Sequence, residues 1–247
     1  MARSIWIDFH SGAAPDYGPG HVVVAVDVIR SSTTAITGIV AGRRCLPVST
    51  IEAAVALAGS QPDAILVGEL GGKMPYGFHL DNSPTQLVVR DDVSRPFILL
   101  STSGTRLMTE SARNRRVYVA CLRNATAQVA HLVDGDASVA LVGAATRGEF
   151  REEDQICCAR IAAPLVQNGF EPVGMTEEIV ARWRDAPVDA MRVSKSCRYL
   201  IEAGRLDDLE FILSHVDDVD GVFEVQGSEI ISAGPIGLRT IPATSER

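Results

Sequence analysis

The chain has 247 residues, 46% of them hydrophobic, and a formal net charge of −8 at neutral pH. That is enough apolar material for one large domain. It is too acidic overall for a nucleic-acid-binding face or for attraction to an anionic membrane surface. No run approaches the ~20 apolar residues of a membrane span, and the opening MARSIWIDFHSG lacks the apolar stretch of a signal peptide. The five cysteines (45, 121, 157, 158 and 197) are odd in number and show no CxxC spacing. Reduced thiols in a cytoplasm fit this better than disulfides or a zinc site.

Apolar runs alternate with helix-like stretches. In chain order the pattern predicts strands over 4–9 and 21–26, a helix over 32–40, a strand over 44–48, a helix over 50–58 and a strand over 64–67. A long glycine-rich stretch, GELGGKMPYGFHLDNSP over 68–84, then has no period, and loops of this length tend to be functional. There follow a strand over 97–100, a helix over 105–112, strands over 117–121 and 139–143 around a helix over 125–133, and a helix over 152–167. Pro164 is expected to kink or end that last helix. After about residue 187 two short helices, 194–203 and 207–214, are separated by Gly204 as a cap, and 222–225 with 229–231 predict a hairpin. The expected fold is a layered α/β/α domain over 1–247 with a mostly parallel or mixed central sheet. The part from about 188 is read as a small C-terminal helical extension.

Five of the apolar strands run into polar clusters. Residues 21–34, HVVVAVDVIRSSTT, carry Asp27, Arg30 and the hydroxyls Ser31, Ser32, Thr33 and Thr34 directly after a buried-strand pattern. Glu69, Lys73, Asp81, Asn82 and Ser83 follow the 64–67 strand. STSGTR, with Thr102, Ser103, Gly104, Thr105 and Arg106, follows 97–100. Arg123 and Asn124 follow 117–121; Thr146, Arg147, Glu149, Glu152, Glu153 and Asp154 follow 139–143. In a mostly parallel sheet these ends would meet on one edge and form one polar cleft.

The chemistry this implies is an anion beside a cation. Amides and hydroxyls at a strand-to-helix turn cradle phosphate oxygens, and Asp27, Glu69, Glu149, Glu153 and Asp154 supply the hard oxygen ligands of magnesium. Glu152 reads instead as an acid favouring the start of its helix. There is no HExxH, no Walker loop and no GxSxG elbow. The second aspartate of a haloacid-dehalogenase-type phosphatase is missing, because Ile29 stands in its place. Cys121 reads as a small core residue.

Taken together, VDVIRSSTT, GELGGKMPYGFHLDNSP, STSGT, CLRNATAQVA and GEFREED, in this order over about 22–167, resemble the 2-phosphosulfolactate phosphatase family. The resemblance implies an α/β protein that uses Mg2+ to hydrolyse a small anionic phosphate monoester. The family's substrate is 2-phosphosulfolactate, converted to sulfolactate and phosphate on the route to coenzyme M. Carried over residue by residue, it implies Asp27, Arg30, Glu69 and Asp154 as catalytic. Ser32, Thr33, Thr34, Asn82, Ser83, Thr102, Ser103, Gly104, Thr105 and Asn124 become substrate-binding, and Asp27, Glu69, Glu153 and Asp154 metal-holding. Ser31 departs from the family's usual alanine and Ser103 from its usual asparagine, which bears on substrate fit. Lys73, Arg106, Arg123 and Arg147 are the candidate partners for a sulfonate.

Asp27 reads as a metal ligand, with attack on phosphorus either by Asp27 or by metal-bound water. Two other functions remain open: a phosphatase for another hydroxy-acid or sugar phosphate, and a non-catalytic sensor of a phosphorylated metabolite. A homo-oligomer is compatible with the chain.

Overall fold

The computed structural model describes residues 2–10, 17, 20–112, 116–145 and 148–239. In chain order these form β1 (Ser4–Phe9), β2 (His21–Val26), α1 (Ser31–Val40), β3 (Cys45–Val48), α2 (Ile51–Ser60), β4 (Ile65–Gly68), α3 (Pro84–Val88), β5 (Phe97–Leu100), α4 (Gly104–Ser111) and β6 (Val117–Ala120). They continue with α5 (Ala125–Asp134), β7 (Ser138–Gly143), α6 (Glu152–Gln167), β8 (Glu171–Gly174), α7 (Thr176–Trp183), α8 (Lys195–Glu202), α9 (Leu206–Ser214), β9 (Val219–Asp220), β10 (Phe223–Gln226), β11 (Glu229–Ser232) and β12 (Gly237–Leu238). Among the described residues no helix is long and apolar enough to cross a membrane.

Ten strands make one mixed sheet in the order β4-β5-β3-β11-β10-β6-β2-β7-β1-β8, and β9 pairs with β12 apart from it. The layered α/β architecture expected from the alternating pattern is present. The sheet is two parallel blocks, β6-β2-β7-β1-β8 and β3-β5-β4. Between them lies the hairpin β10–β11, antiparallel to both. Following the pairings across, the two blocks run in opposite senses. The sheet is therefore mixed and not mostly parallel. The hairpin is likewise no terminal appendage, since it joins the halves of the sheet.

Strand ends still meet because the two blocks enclose a common layer. Side chains alternate along each strand. Val24, Val26, Leu141, Ile5 and Ile7 face α5 and α6, in a core with Ile156, Ile161 and Leu165. Val23, Ala25, Val119 and Val142 point the other way, into a second core shared with Ile36 of α1, Leu107 and Met108 of α4, and Ile65, Val67, Phe97 and Leu99 of the second block. The opposite faces of β3, β4 and β5 bury Leu46, Leu66, Ile98 and Leu100 under α2. Helices α1 and α4 are thus sandwiched between the blocks, which is why α1 is buried from Ser31 to Ile39. Gly38 permits the close approach: a Cβ there would lie 2.5 Å from the Phe97 ring.

Pro164 does not end α6, because the helix runs on to Gln167. The proline sits in the last turn, where Asn168 N–H still reaches its carbonyl at 3.0 Å. The glycine-rich stretch covers the edge of β4: Leu66 N–H donates to His79 Nδ1 at 2.9 Å and Gly68 N–H to the Leu80 carbonyl at 3.0 Å. An otherwise open edge strand is closed in this way. All five cysteines are buried and free.

Candidate active site

The ends of β2, β4 and β5 and the start of α6 line one cleft of about 290 Å³, at the small end of ligand cavities. Asp27, Arg30, Glu69, Asn82, Thr102, Ser103, Glu153 and Asp154 all border it. So do Gly71, Gly72, Arg151, Lys195, Ser196 and Tyr199.

Asp27 is held by the start of α1. Its Oδ2 accepts from Ser31 Oγ at 2.6 Å, and its backbone N–H donates to Ser32 Oγ at 3.1 Å. Gly104 leaves the space for this carboxylate, since a Cβ there would lie 2.1 Å from Asp27 Oδ2 and 2.0 Å from Ser31 Oγ. Gly104→Ala is accordingly expected to displace Asp27 and lower turnover at least a hundredfold, with a stability loss of about 1–3 kcal/mol from overpacking. Steady-state kinetics of the folded variant check this, and near-normal turnover would contradict the contact.

Three acids in the cleft are buried together. Burial first, then the charges of Glu69 and Glu153, push the Asp27 carboxyl up to about 6 against the pull of the Ser31 hydrogen bond. Asp154 lies well above the ordinary range through burial and the nearby Asp27 and Glu153, although its Oδ1 accepts from Val28 N–H at 2.9 Å. Glu153 is raised by burial, partly offset by hydrogen bonds from Ser196 and Ser194, and its Oε2 has no partner. Like charges gathered out of water raise one another in this way unless a cation joins them. Glu69, in contrast, ties two loops together: it accepts from Thr102 N–H at 2.7 Å, Thr102 Oγ1 at 2.8 Å and Gly72 N–H at 2.7 Å.

Arg30 borders the cleft but is bound from behind. Its Nη1 donates to Asp208 Oδ2 at 2.8 Å and its Nη2 to Asp81 at 3.3 Å, while Arg205 Nε also reaches Asp81 at 3.1 Å. Ser83 Oγ and Thr85 Oγ1 each donate to Asp208 Oδ1 at 2.6 Å. Asp208 was not legible as a site residue, because an acid in the first turn of a helix reads as a partner of the helix dipole.

Several sequence candidates lie away from the cleft because their polar groups serve the backbone. Ser32 caps Asp27 N–H, Thr33 Oγ1 donates to the Val28 carbonyl at 2.8 Å, and Thr34 is buried with its Oγ1 unpartnered. Ser83 caps α3, and Thr105 exchanges hydrogen bonds of 2.9 Å with Ser101. Asn124 is fully buried, accepting from Cys121 N–H at 3.0 Å and donating to the Val119 and Gly221 carbonyls. Asn124 therefore does not border the cleft. Arg123 pairs with Asp218 at 2.6 Å on another face, Arg106 pairs with Glu110, and Lys73 does not border the cleft. Thr146 and Arg147 lie outside the described residues. Conversely, α8 was read as decoration and yet supplies Lys195, Ser196 and Tyr199 to the wall.

Comparison with known proteins identifies the family. The sequence profile described as 2-phosphosulpholactate phosphatase matches residues 10–227. A protein of Symbiobacterium thermophilum named a probable 2-phosphosulfolactate phosphatase is 32% identical over 200 residues, 78% of this chain and 86% of its own length. One of Deinococcus radiodurans with the same name is 32% identical over 203 residues, covering 80% and 85%. One of Synechocystis is 27% identical over 207 residues, covering 80% and 86%. The matched span takes in β2, the glycine-rich loop, α4 and the start of α6, so it carries every acid of the cleft. The chain belongs to the 2-phosphosulfolactate phosphatase family.

Proposed function

We infer that this chain hydrolyses 2-phosphosulfolactate to sulfolactate and phosphate with the help of Mg2+. The observation that carries this reading is the gathering of Asp27, Glu153 and Asp154, each raised by burial, in one cleft where Glu153 Oε2 has no partner. A pure anion binder gains nothing from such acids, whereas a cation relieves all three.

The donor set fits magnesium, since it is all oxygen. Among the described residues no three His, Cys, Asp or Glu side chains already form a ligand cluster. Magnesium is commonly bound through one or two carboxylates, with water and substrate phosphate in its other positions. One or two carboxylates drawn from Asp27, Glu153 and Asp154 would hold it, with Glu69 nearby. Bound there, magnesium neutralises charge on the phosphoryl oxygens. Helix α4 begins at the cleft with Ser103 as its N-cap; Ser103 itself caps no amide, although Ser101 Oγ takes the Thr105 N–H, and the positive end of this helix faces the place proposed for the phosphoryl group. Arg30 adds a fixed positive charge to the same wall.

A panel of phosphate monoesters with Mg2+ tests the substrate. Phosphate release is expected with the highest kcat/KM from 2-phosphosulfolactate, ahead of other hydroxy-acid phosphates. A sugar phosphate preferred by tenfold would overturn the assignment.

A further inference from the structure

The cleft has a second wall, opposite in character to its acids. Arg151, at the N-cap of α6, and Lys195, the first residue of α8, both border it beside Ser196 and Tyr199. The two cations are joined by one carboxylate: Lys195 Nζ lies 2.8 and 2.7 Å from the two oxygens of Glu149, and Arg151 Nη1 lies 2.7 Å from Oε2. Glu149 is half exposed, with 51% of its side chain open to solvent, whereas the Arg151 side chain is 13% exposed and its Nε is buried without a partner. Two positive charges that border the cleft therefore share one half-exposed acid. An ammonium and a guanidinium converging on one carboxylate offer the geometry that any carboxylate or sulfonate oxygens would use.

We propose that Arg151 and Lys195 are specificity-determining residues that take the non-reacting acid groups of the substrate, and that Glu149 occupies their place until substrate displaces it. This rests on the phosphatase reading and adds to it how acid-bearing phosphoesters are told from plain ones. The cations Lys73, Arg106 and Arg123, which adjoin the sequence motifs, do not border the cleft.

The test compares KM for 2-phosphosulfolactate with the inhibition constants of sulfolactate, which lacks the phosphoryl group, and of inorganic phosphate, which lacks the acid groups. A charge-assisted hydrogen bond contributes enough to change affinity by about tenfold or more. Arg151→Gln and Lys195→Met are expected to raise KM and the sulfolactate constant at least tenfold. The ratio of the sulfolactate to the phosphate constant should rise by a similar factor. Glu149→Gln is expected to lower KM severalfold by removing the competing charge. Equal changes in both inhibition constants, no change in either, or a raised KM for Glu149→Gln would overturn the inference. Wild-type protein that releases no phosphate from any monoester would instead sink the phosphatase reading itself. Lys195 is 58% exposed, so its variant keeps the fold, and a thermal melt verifies this.

Discussion

Asp27→Asn is expected to lower kcat for phosphate release by about a thousandfold or more, and at the same time to raise the melting temperature of the metal-free protein at pH 8. The kinetic loss follows from removing a charge that holds the cation beside the phosphoryl group, where a thousandfold corresponds to about 4 kcal/mol. The gain in stability follows from linkage. The folded carboxyl is raised from 3.8 to about 6, chiefly by burial. The folded state therefore binds the proton more tightly than the unfolded chain. Ionising Asp27 disfavours folding progressively as pH rises from about 4 to about 6, and the full penalty persists above that. Two pH units set an upper bound of roughly 3 kcal/mol. Asparagine keeps the shape and removes this penalty, so the stabilisation should be present at pH 8 and vanish near pH 4. The same sign predicts that Mg2+ binding weakens as pH falls below about 6. Thermal melts at the two pH values, with kinetics on the same samples, check both halves. An unchanged kcat, or a lower melting temperature at pH 8, would mean that the acid serves the fold.

Arg30→Ala is expected to destabilise the protein by about 3–5 kcal/mol, the range for removing one member of a buried ion pair. Its guanidinium is 5% exposed and faces two buried acids. Asp81 keeps Arg205 when Arg30 is lost, but Asp208 keeps only the neutral donors Ser83 and Thr85. The heavier burden therefore falls on Asp208. The double variant with Asp208→Asn should recover part of the loss, with a coupling of about 1.5 kcal/mol or more in a double-mutant cycle followed by urea unfolding. Arg30→Lys retains the charge but not the fork that reaches both acids, so it should lose stability and kcat/KM together. Strict additivity of the two single variants would show that the pair seen in the structure does not operate in solution.

Much of the fold was legible where a strand is buried on both faces. The run from His21 to Val26 ends where the apolar pattern does, and β1, β2 and β5 keep the bounds that periodicity predicts. The pair β8 and α7 was missed because EPVG has a proline, a glycine and no alternation; proline is tolerated there since β8 is an edge strand. Strand order was beyond reach for a different reason. Only the long-range pairings of Phe223 with Val119 and of Ile230 with Cys45 set the hairpin between the blocks. No local pattern records that.

The acids that border the cleft stand out in the sequence because carboxylates after buried strands have few other uses. Among the hydroxyls, Thr102 and Ser103 border the cleft and others do not. Ser32, Thr33 and Thr105 sit where a helix starts, and short polar side chains there bond to their own backbone as readily as to a ligand. Asn124 misled in the same way, since its amide closes the turn after β6. Lys195 and Tyr199 lie in a segment, 194–209, where the family resemblance is only a weak echo, and neither stands out as a site residue. Their relevance comes from α8 lying across the cleft, about 125 residues along the chain from Gly72, whose carbonyl accepts from Tyr199.

Phosphate release from 2-phosphosulfolactate by protein stripped with a chelator, measured before and after Mg2+ is returned, tests the central claim most directly. The buried acids Asp27, Glu153 and Asp154 predict that release stops on stripping and returns with magnesium, and that Glu153→Gln blunts the return. Undiminished release from the stripped protein would contradict the account, because those acids would then hold no cation that the reaction needs.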